Sequence, residues 1–313
     1  MATSGSIDYV VTRDDIITEA LELLGVLGEG QSASANQLSS CARTLNMMVK
    51  SWQADGMNLS ALQRTYVFLE KNKSEYTLTS SGDNWTTSFT STQIGTAGST
   101  GDTTVDVGSI SGISNGDYIG IQLDDGSMQW TTVNGAPSGT TVTLTDALTA
   151  NAASDNYVYV YTTKASKPAS IFSCTVKTTS GTETTVDINN ITDYTNLSDK
   201  SSDGQVTQVF FEKGVSSPTL FVWPQSSSTT DYLVLWVQRT FEDFDASTDN
   251  PDFPQEYYMA LSFNLAAALS FKYGTPAGLL DRITLKAKTL KEEAMGFDSE
   301  DYITFSPNSQ GLH

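Results

Sequence analysis

Histidine is almost missing from this 313-residue chain: the single one is His313, the last residue. Chain ends are where order is hardest to keep, so catalysis through a held imidazole and metal sites built on histidine are excluded. Cysteine is nearly as scarce. Cys41 and Cys174 are too few for a Cys/His zinc site, and without a basic-then-apolar leader in MATSGSIDYV they read as two thiols rather than a disulfide. No run of eighteen apolar residues occurs, so the expectation is a soluble protein made in the cytoplasm, with no membrane partner. Cations are few as well, 17 Lys and Arg against 36 Asp and Glu, for a net charge of -19. Such a chain cannot grip phosphates by releasing counterions, which excludes sequence-specific nucleic-acid binding, although an acidic surface suits DNA that must slide past. A glycine-rich phosphate loop with its lysine is missing, as is a G-x-S-x-G elbow. Only paired carboxylates remain as catalytic groups, and 36 acids make chance pairs unavoidable. No enzyme, cofactor or metal is expected, and no pair of acids stands out with the setting of a glycosidase site.

What is there begins with helices. Thr12 precedes Asp15 by the spacing of a short capping box, and Ile16, Ile17, Ala20, Leu21, Leu23 and Leu24 follow as an apolar stripe that Gly25, Gly28 or Gly30 can end. In the second helix Leu38, Cys41, Ala42, Leu45, Met48, Val49 and Trp52 share one face, and Gly56 is the expected stop. Met47, Met48 and Trp52 read as core. From about Lys71 the period changes to short alternating runs between turn residues: TTVDVGSI, GDYIGIQL, MQWTTV, TTVTLT and NYVYVYTT, then IFSCTVKT, TTVDI, QVTQVFFEKG, TLFVWP and DYLVLWVQRTF. Asp124-Asp125-Gly126 reads as a hairpin turn, since it lacks the alternating ladder of a calcium loop. FVWPQSSSTTDYLVLWV reads as a second hairpin with Trp223 and Trp236 packed across it.

Helical periodicity returns after FEDFDASTDNPDFPQE, which carries Asp243, Asp245, Asp249 and Asp252. Tyr257, Tyr258, Leu261, Leu265, Ala268 and Leu269 share the next face, ended by Gly274; Thr275 and Pro276 then open a fourth helix along Leu279, Leu280, Ile283, Leu290 and Ala294. Neither terminal helix pair can bury its stripe alone. The expected fold class is therefore α+β: a four-helix domain from residues 1–70 and 241–296, a large antiparallel all-β insertion over 71–240 (sub-units about 95–163 and 164–240), and an extended tail over 297–313. The acidic loop is then the return crossing, a domain joint.

The stretch RDDIITEALELLGVLGEGQSASANQLSSCARTLNMMVKSWQADGMNL resembles the opening of the head-to-tail adaptor (connector) or packaged-DNA stabilisation proteins of tailed bacteriophages, with Trp52, Asp55 and Gly56 as its W-x-x-D-G ending. QRTFEDFDASTDNPDFPQEYYMALSFNLAAALSFKYG is similar to the segment leading into that family's third helix. The order of hairpin, β insert, acidic loop and aromatic, alanine-rich helix carries the resemblance. It implies a structural virion protein of the neck, with no reaction: a ring, usually a dodecamer, that docks under the portal protein, extends the DNA channel, retains packaged double-stranded DNA and attaches the tail. The four-helix part would be the adaptor domain. The tail, through Phe297, Tyr302, Ile303 and Phe305, would reach the portal, and Asp243, Asp245, Asp249 and Asp252 would lie near a ring contact. The β insert would face a tail nozzle or tube protein, or tail fibres. The alternative is a carbohydrate-binding or glycan-degrading tail component, with Trp85, Trp130, Trp223, Tyr157, Tyr159 and Tyr161 as stacking groups. Against it, the alternation in NYVYVYTT makes both faces of that strand partly apolar, as in a core.

Overall fold

The computed structural model describes residues 5–6, 8–28, 30–54 and 61–297. The chain divides into two compact units, Met1–Ala61 with Phe241–His313, and Leu62–Thr240. Five α-helices occur among the described residues: α1 (Arg13–Leu23), α2 (Ala35–Ala54), α3 (Ile191–Thr195), α4 (Tyr258–Tyr273) and α5 (Ala277–Phe297). All but α3 belong to the first unit.

In that unit local chemistry sets the helix ends. The Thr12 hydroxyl accepts the Asp15 N–H (3.3 Å) and the Asp15 carboxylate accepts the Thr12 N–H (2.9 Å), a complete capping box that starts α1. Gly25, in the left-handed region at φ 71°, lets the chain turn so that its N–H reaches Glu22 O and that of Val26 reaches Leu21 O, which stops it. Ser34 and Gln37 form a similar box ahead of α2. The stripes meet in one core, where Ile17, Leu21, Cys41, Leu45, Trp52, Leu261 and Leu265 are buried. Three positions depart from expectation. Met47 and Ala268 lie outside that core and are exposed, and Thr275 does not cap α5 through its side chain, whose hydroxyl is buried without a hydrogen-bond partner among the described residues. Gly56 lies outside the described residues.

The second unit opens with β1 (Leu62–Phe68), β2 (Glu75–Thr77) and β3 (Trp85–Thr86). Six strands follow: β4 (Thr90–Thr96), β5 (Thr104–Val107), β6 (Tyr118–Gln122), β7 (Met128–Thr132), β8 (Thr141–Thr143) and β9 (Tyr157–Tyr161). They form a sheet of their own in the order β7-β6-β9-β4-β5-β8. Its outer strands meet, with an antiparallel bridge between Val133 and Leu144 and the Thr145 N–H donating to Thr132 O at 2.9 Å. Curling in this way lets Ile119, Ile121, Val142, Val158 and Val160 share a single interior. The chain then returns to the first sheet through β10 (Pro168–Lys177), β11 (Glu183–Asn189), β13 (Gln208–Glu212), β14 (Thr219–Trp223) and β16 (Tyr232–Arg239), while β12 (Asp203–Gly204) and β15 (Gln225–Ser226) pair separately. The large sheet runs β2-β14-β13-β11-β10-β16-β1-β3. It curls too: Asp83 donates its N–H to Thr77 O beside β2, and its neighbour Asn84 accepts from Phe68 of β1, so consecutive residues tie strands near opposite ends of the order.

The expected fold class is thereby corrected. Among the described residues the chain is mostly β, sixteen strands in two curled sheets and one short pair against five α-helices, rather than a four-helix domain carrying one antiparallel all-β insertion. Within the β region β11 pairs β13, and β12 pairs β15, in parallel, and a helix stands between β11 and β13. Parallel neighbours need a crossover, which α3 and the segment after it supply, with Asn190 accepting the Thr192 and Asp193 N–H groups to start the turn. The six-stranded sheet, built from strands between residues 90 and 161, stands in the chain between β3 and β10 of the larger one. Nor do β14 and β16 make a hairpin: β13, β11 and β10 lie between them, which separates Trp223 from Trp236.

Candidate functional site

The acidic return loop is built on three phenylalanines. Phe241, Phe244 and Phe253 are buried; Phe241 stacks on Phe253 with ring centres 4.3 Å apart, and Phe253 meets Trp52 edge-on. Burial of these rings leaves the intervening acids at the surface, where α1 and α2 hold the backbone. Asn46 accepts the Phe244 N–H (2.9 Å) and donates to its carbonyl (3.2 Å). Lys50, one helical turn on, donates to Phe241 O at 2.6 Å and pairs with Asp243 at 2.8 Å. Arg13 donates to Asp245 O at 3.0 Å through its guanidinium, and its backbone N–H donates to Asp249 O at 2.8 Å.

The carboxylates themselves are put to local use. Asp249 Oδ2 accepts the N–H groups of Asp245 and Ala246 (2.8 and 2.6 Å), and Asp252 Oδ2 accepts that of Glu242 at 3.2 Å. Asp243 faces Lys50, and Asp245 contributes its backbone to Arg13. Glu242, Asp243, Asp245 and Asp249 line a shallow cavity of about 660 Å³, yet among the described residues no group of three or more His, Cys, Asp or Glu side chains is disposed to hold a metal ion. What the arrangement does chemically is knit a crossing to two helices. Of the four tail residues, Phe297 ends α5, and Tyr302, Ile303 and Phe305 lie outside the described residues.

The six aromatic side chains that could have stacked on a sugar are distributed differently. Tyr159 and Tyr161 point away from the interior filled by Val158 and Val160 and pack on Phe68 of β1, with ring centres 5.2 and 5.8 Å away. Phe89, Tyr118, Met128, Trp130, Tyr232 and Tyr157, which stacks on Tyr159, complete this cluster, which joins the two sheets of the unit. Their polar ends are tied down: Tyr159 donates to Thr230 O (2.6 Å) and Tyr161 to Asn84 Oδ1 (2.7 Å), and burial pushes both phenols above the ordinary tyrosine range. Gly120 makes room for the Trp130 ring, since a Cβ there would stand 2.7 Å from it. Trp85 is fully buried and donates to Thr79 O at 3.0 Å; Trp223 donates to Asp199 O at 2.6 Å. The stacking faces of Trp85, Tyr159 and Tyr161 are thus filled by protein. At Asp124-Asp125-Gly126 the hairpin turn is in place, with Gly126 at φ 82° and the Asp125 carboxylate, held below the usual range by the Ser127 hydroxyl and N–H, accepting from Ser127.

No protein-family model matches the chain, and no curated protein matches it. Among solved structures, the Gp54 tailspike of Acinetobacter baumannii bacteriophage AP22, in complex with A. baumannii capsular saccharide, is similar over 24% of this chain at 20% identity and a TM-score of 0.21. The chain spans 15% of the tailspike. VP17, a capsid protein of bacteriophage P23-77, is similar over 61% of this chain and 73% of its own at 14% identity, with a TM-score of 0.12. Likenesses of that size carry no argument about fold, ligand or function. Among the described residues no helix is long and apolar enough to cross a membrane.

Sequence reasoning missed Asn46, Lys50 and Arg13 as the side chains that hold the loop. A polar pair at positions i and i+4 beside the stripe of α2 was the available signal. Phe68, Phe89 and Tyr232 carried none, because their partners lie on strands far away in the chain.

Proposed function

We propose that this chain is a structural component of a phage virion, a head-to-tail adaptor whose copies assemble as a ring under the portal protein. In that place it extends the DNA channel, retains packaged DNA and carries the tail, and it catalyses no reaction. The observation that carries the reading is the return loop. Hairpin, β region, acidic Asp/Asn/Pro loop and aromatic helix follow one another in the adaptor order, and the loop is bound by its own backbone to α1 and α2, so both ends of the chain join one unit. Two further facts support it. Carboxylates of the loop serve as acceptors and partners within the fold, and a net charge of -19 suits a conduit that must not hold DNA. The glycan-binding alternative loses support from the burial of Trp85, Tyr159 and Tyr161.

Mixing the purified protein with portal particles tests the proposal. Ring-shaped particles beneath the portal are expected by electron microscopy, with a mass shift of about a dozen chains by native mass spectrometry, and truncation before Phe297 should weaken docking. A portal that stays bare at saturating protein would overturn it.

A further inference from the structure

Helix α4 carries one charged residue, Lys272, in its sixteen. Ala260, Leu261, Leu265, Ala266 and Leu269 are buried in the core of the unit, which accounts for one side of the helix. Part of the other side is apolar too: Met259, Phe263 and Phe271 are spaced at multiples of four residues, with Met259 59% and Phe271 85% exposed. Large apolar side chains left together at a surface mark contact sites, and α4 carries such an uncovered ridge. Beside the start of this ridge, Tyr9, Val11 and Ile16 join Met259 and Phe263 around a groove of about 290 Å³ whose rim carries Asp15 and Glu19.

Helix α5 has the complementary character. Four of the chain's seventeen bases lie on it, and Leu285, 70% exposed, stands one turn from Arg282 and Lys288, with Asp281 the single acid at that spacing. Lys288 reaches Glu292 only loosely, at 3.8 Å.

We propose that these two surfaces are the halves of one contact between copies of this chain: Leu285 of one copy seats in the groove at Met259 and Phe263 of the next, with Arg282 and Lys288 against Glu19 and Asp15. Charge decides the pairing. Two α4 ridges face to face would bring both acidic rims together, whereas α5 offers an apolar knob flanked by two cations against one acid, Asp281, in a chain that has few cations. Because the two surfaces are distinct, the contact is heterologous and repeats from copy to copy, closing into a ring where the rotation allows. The inference deepens the adaptor reading and rests on it only for that closure.

Disulfide trapping in the full chain tests the pairing, since native Cys41 and Cys174 are buried. Met259→Cys and Leu285→Cys proteins, mixed at high concentration under mild oxidation, are expected to give the mixed disulfide several-fold over either homodisulfide. In sedimentation velocity, Glu19→Lys should weaken self-association at least tenfold, and Arg282→Glu in the same chain should restore it, with unchanged circular dichroism melts as the folding control. Homodisulfides in excess, a chain that stays monomeric at millimolar concentration, or the absence of charge-swap rescue would each overturn the proposal. The outcome separates from that of the portal experiment: a trapped head-to-tail pair that leaves the portal bare sinks the adaptor reading and keeps this contact.

Discussion

The helical unit and the β unit both join pieces of chain that lie far apart in sequence, and they use opposite chemistry to do so. In the helical unit Asn46, Lys50 and Arg13 reach residues about two hundred positions away through polar bonds to the backbone. In the β unit Phe68, Phe89, Trp130, Tyr159, Tyr161 and Tyr232 bring two sheets together through ring faces, with hydroxyl bonds only at the margin. A loop has no regular partner for its N–H and C=O groups, so side chains must satisfy them. Strands already pair their backbones within each sheet, which leaves side-chain faces as the means of joining one sheet to another. The same difference governs where acids can be placed. The helical joint tolerates six carboxylates in one short segment because it is wet; the aromatic joint would lose its packing to a single charge.

Breaking the aromatic joint should have the largest effect. Phe68→Ala removes a ring in contact with five others and should cost about 3–5 kcal/mol in urea unfolding. A loss below about 1 kcal/mol would mean that the two sheets do not depend on this cluster. The polar joint should be weaker: Asn46→Ala leaves the Phe244 N–H and C=O without their partner and should cost about 1–3 kcal/mol, with the loss appearing as faster amide exchange over residues 241–253. If exchange there stays unchanged, the loop is held by its phenylalanines alone. Smaller still is the cap of α1, where Thr12→Ala should cost about 1 kcal/mol by thermal unfolding.

The cap also has a pH signature. Hydrogen bonds from the Thr12 hydroxyl and N–H hold the Asp15 carboxyl below its ordinary value. A depressed folded-state pKa contributes stability above the unfolded value, near 4, that is lost as pH falls through the folded one. Asp15→Asn should therefore lower stability slightly near neutrality, where the carboxylate contributes, and flatten the acid limb of melting below about pH 4, where variant and parent converge. An unchanged acid limb in the variant would show that the carboxylate is not the acceptor that matters, a result that would narrow the contrast between the two joints.

Much of this was legible because it is local. The Thr12 and Asp15 box, the stripe from Cys41 to Trp52, the Asp-Gly turn at Gly126 and the two faces of Tyr157–Tyr161 are set by residues within a few positions of one another. The candidate site was half legible. The acids of the return loop stood out in the sequence, but their work did not, since Asp249 turns inward to the Asp245 and Ala246 N–H groups and Lys50 is contributed from α2. The misplaced hairpin of β14 and β16 has the same origin: two β runs joined by a polar loop satisfy hairpin grammar, and only the pairing of distant strands puts β13, β11 and β10 between them.

By itself the sequence determined the element types, most helix ends and turns, the surplus of acid and the scarcity of catalytic side chains, because propensity, capping, periodicity and charge act over a few residues. Only the tertiary structure decided strand order, the parallel pairs, the nesting of one curled sheet in another and the exposure of Met259, Phe271 and Leu285. Those depend on which distant surfaces bury one another, and a periodic apolar pattern says that a face needs cover without saying what will cover it.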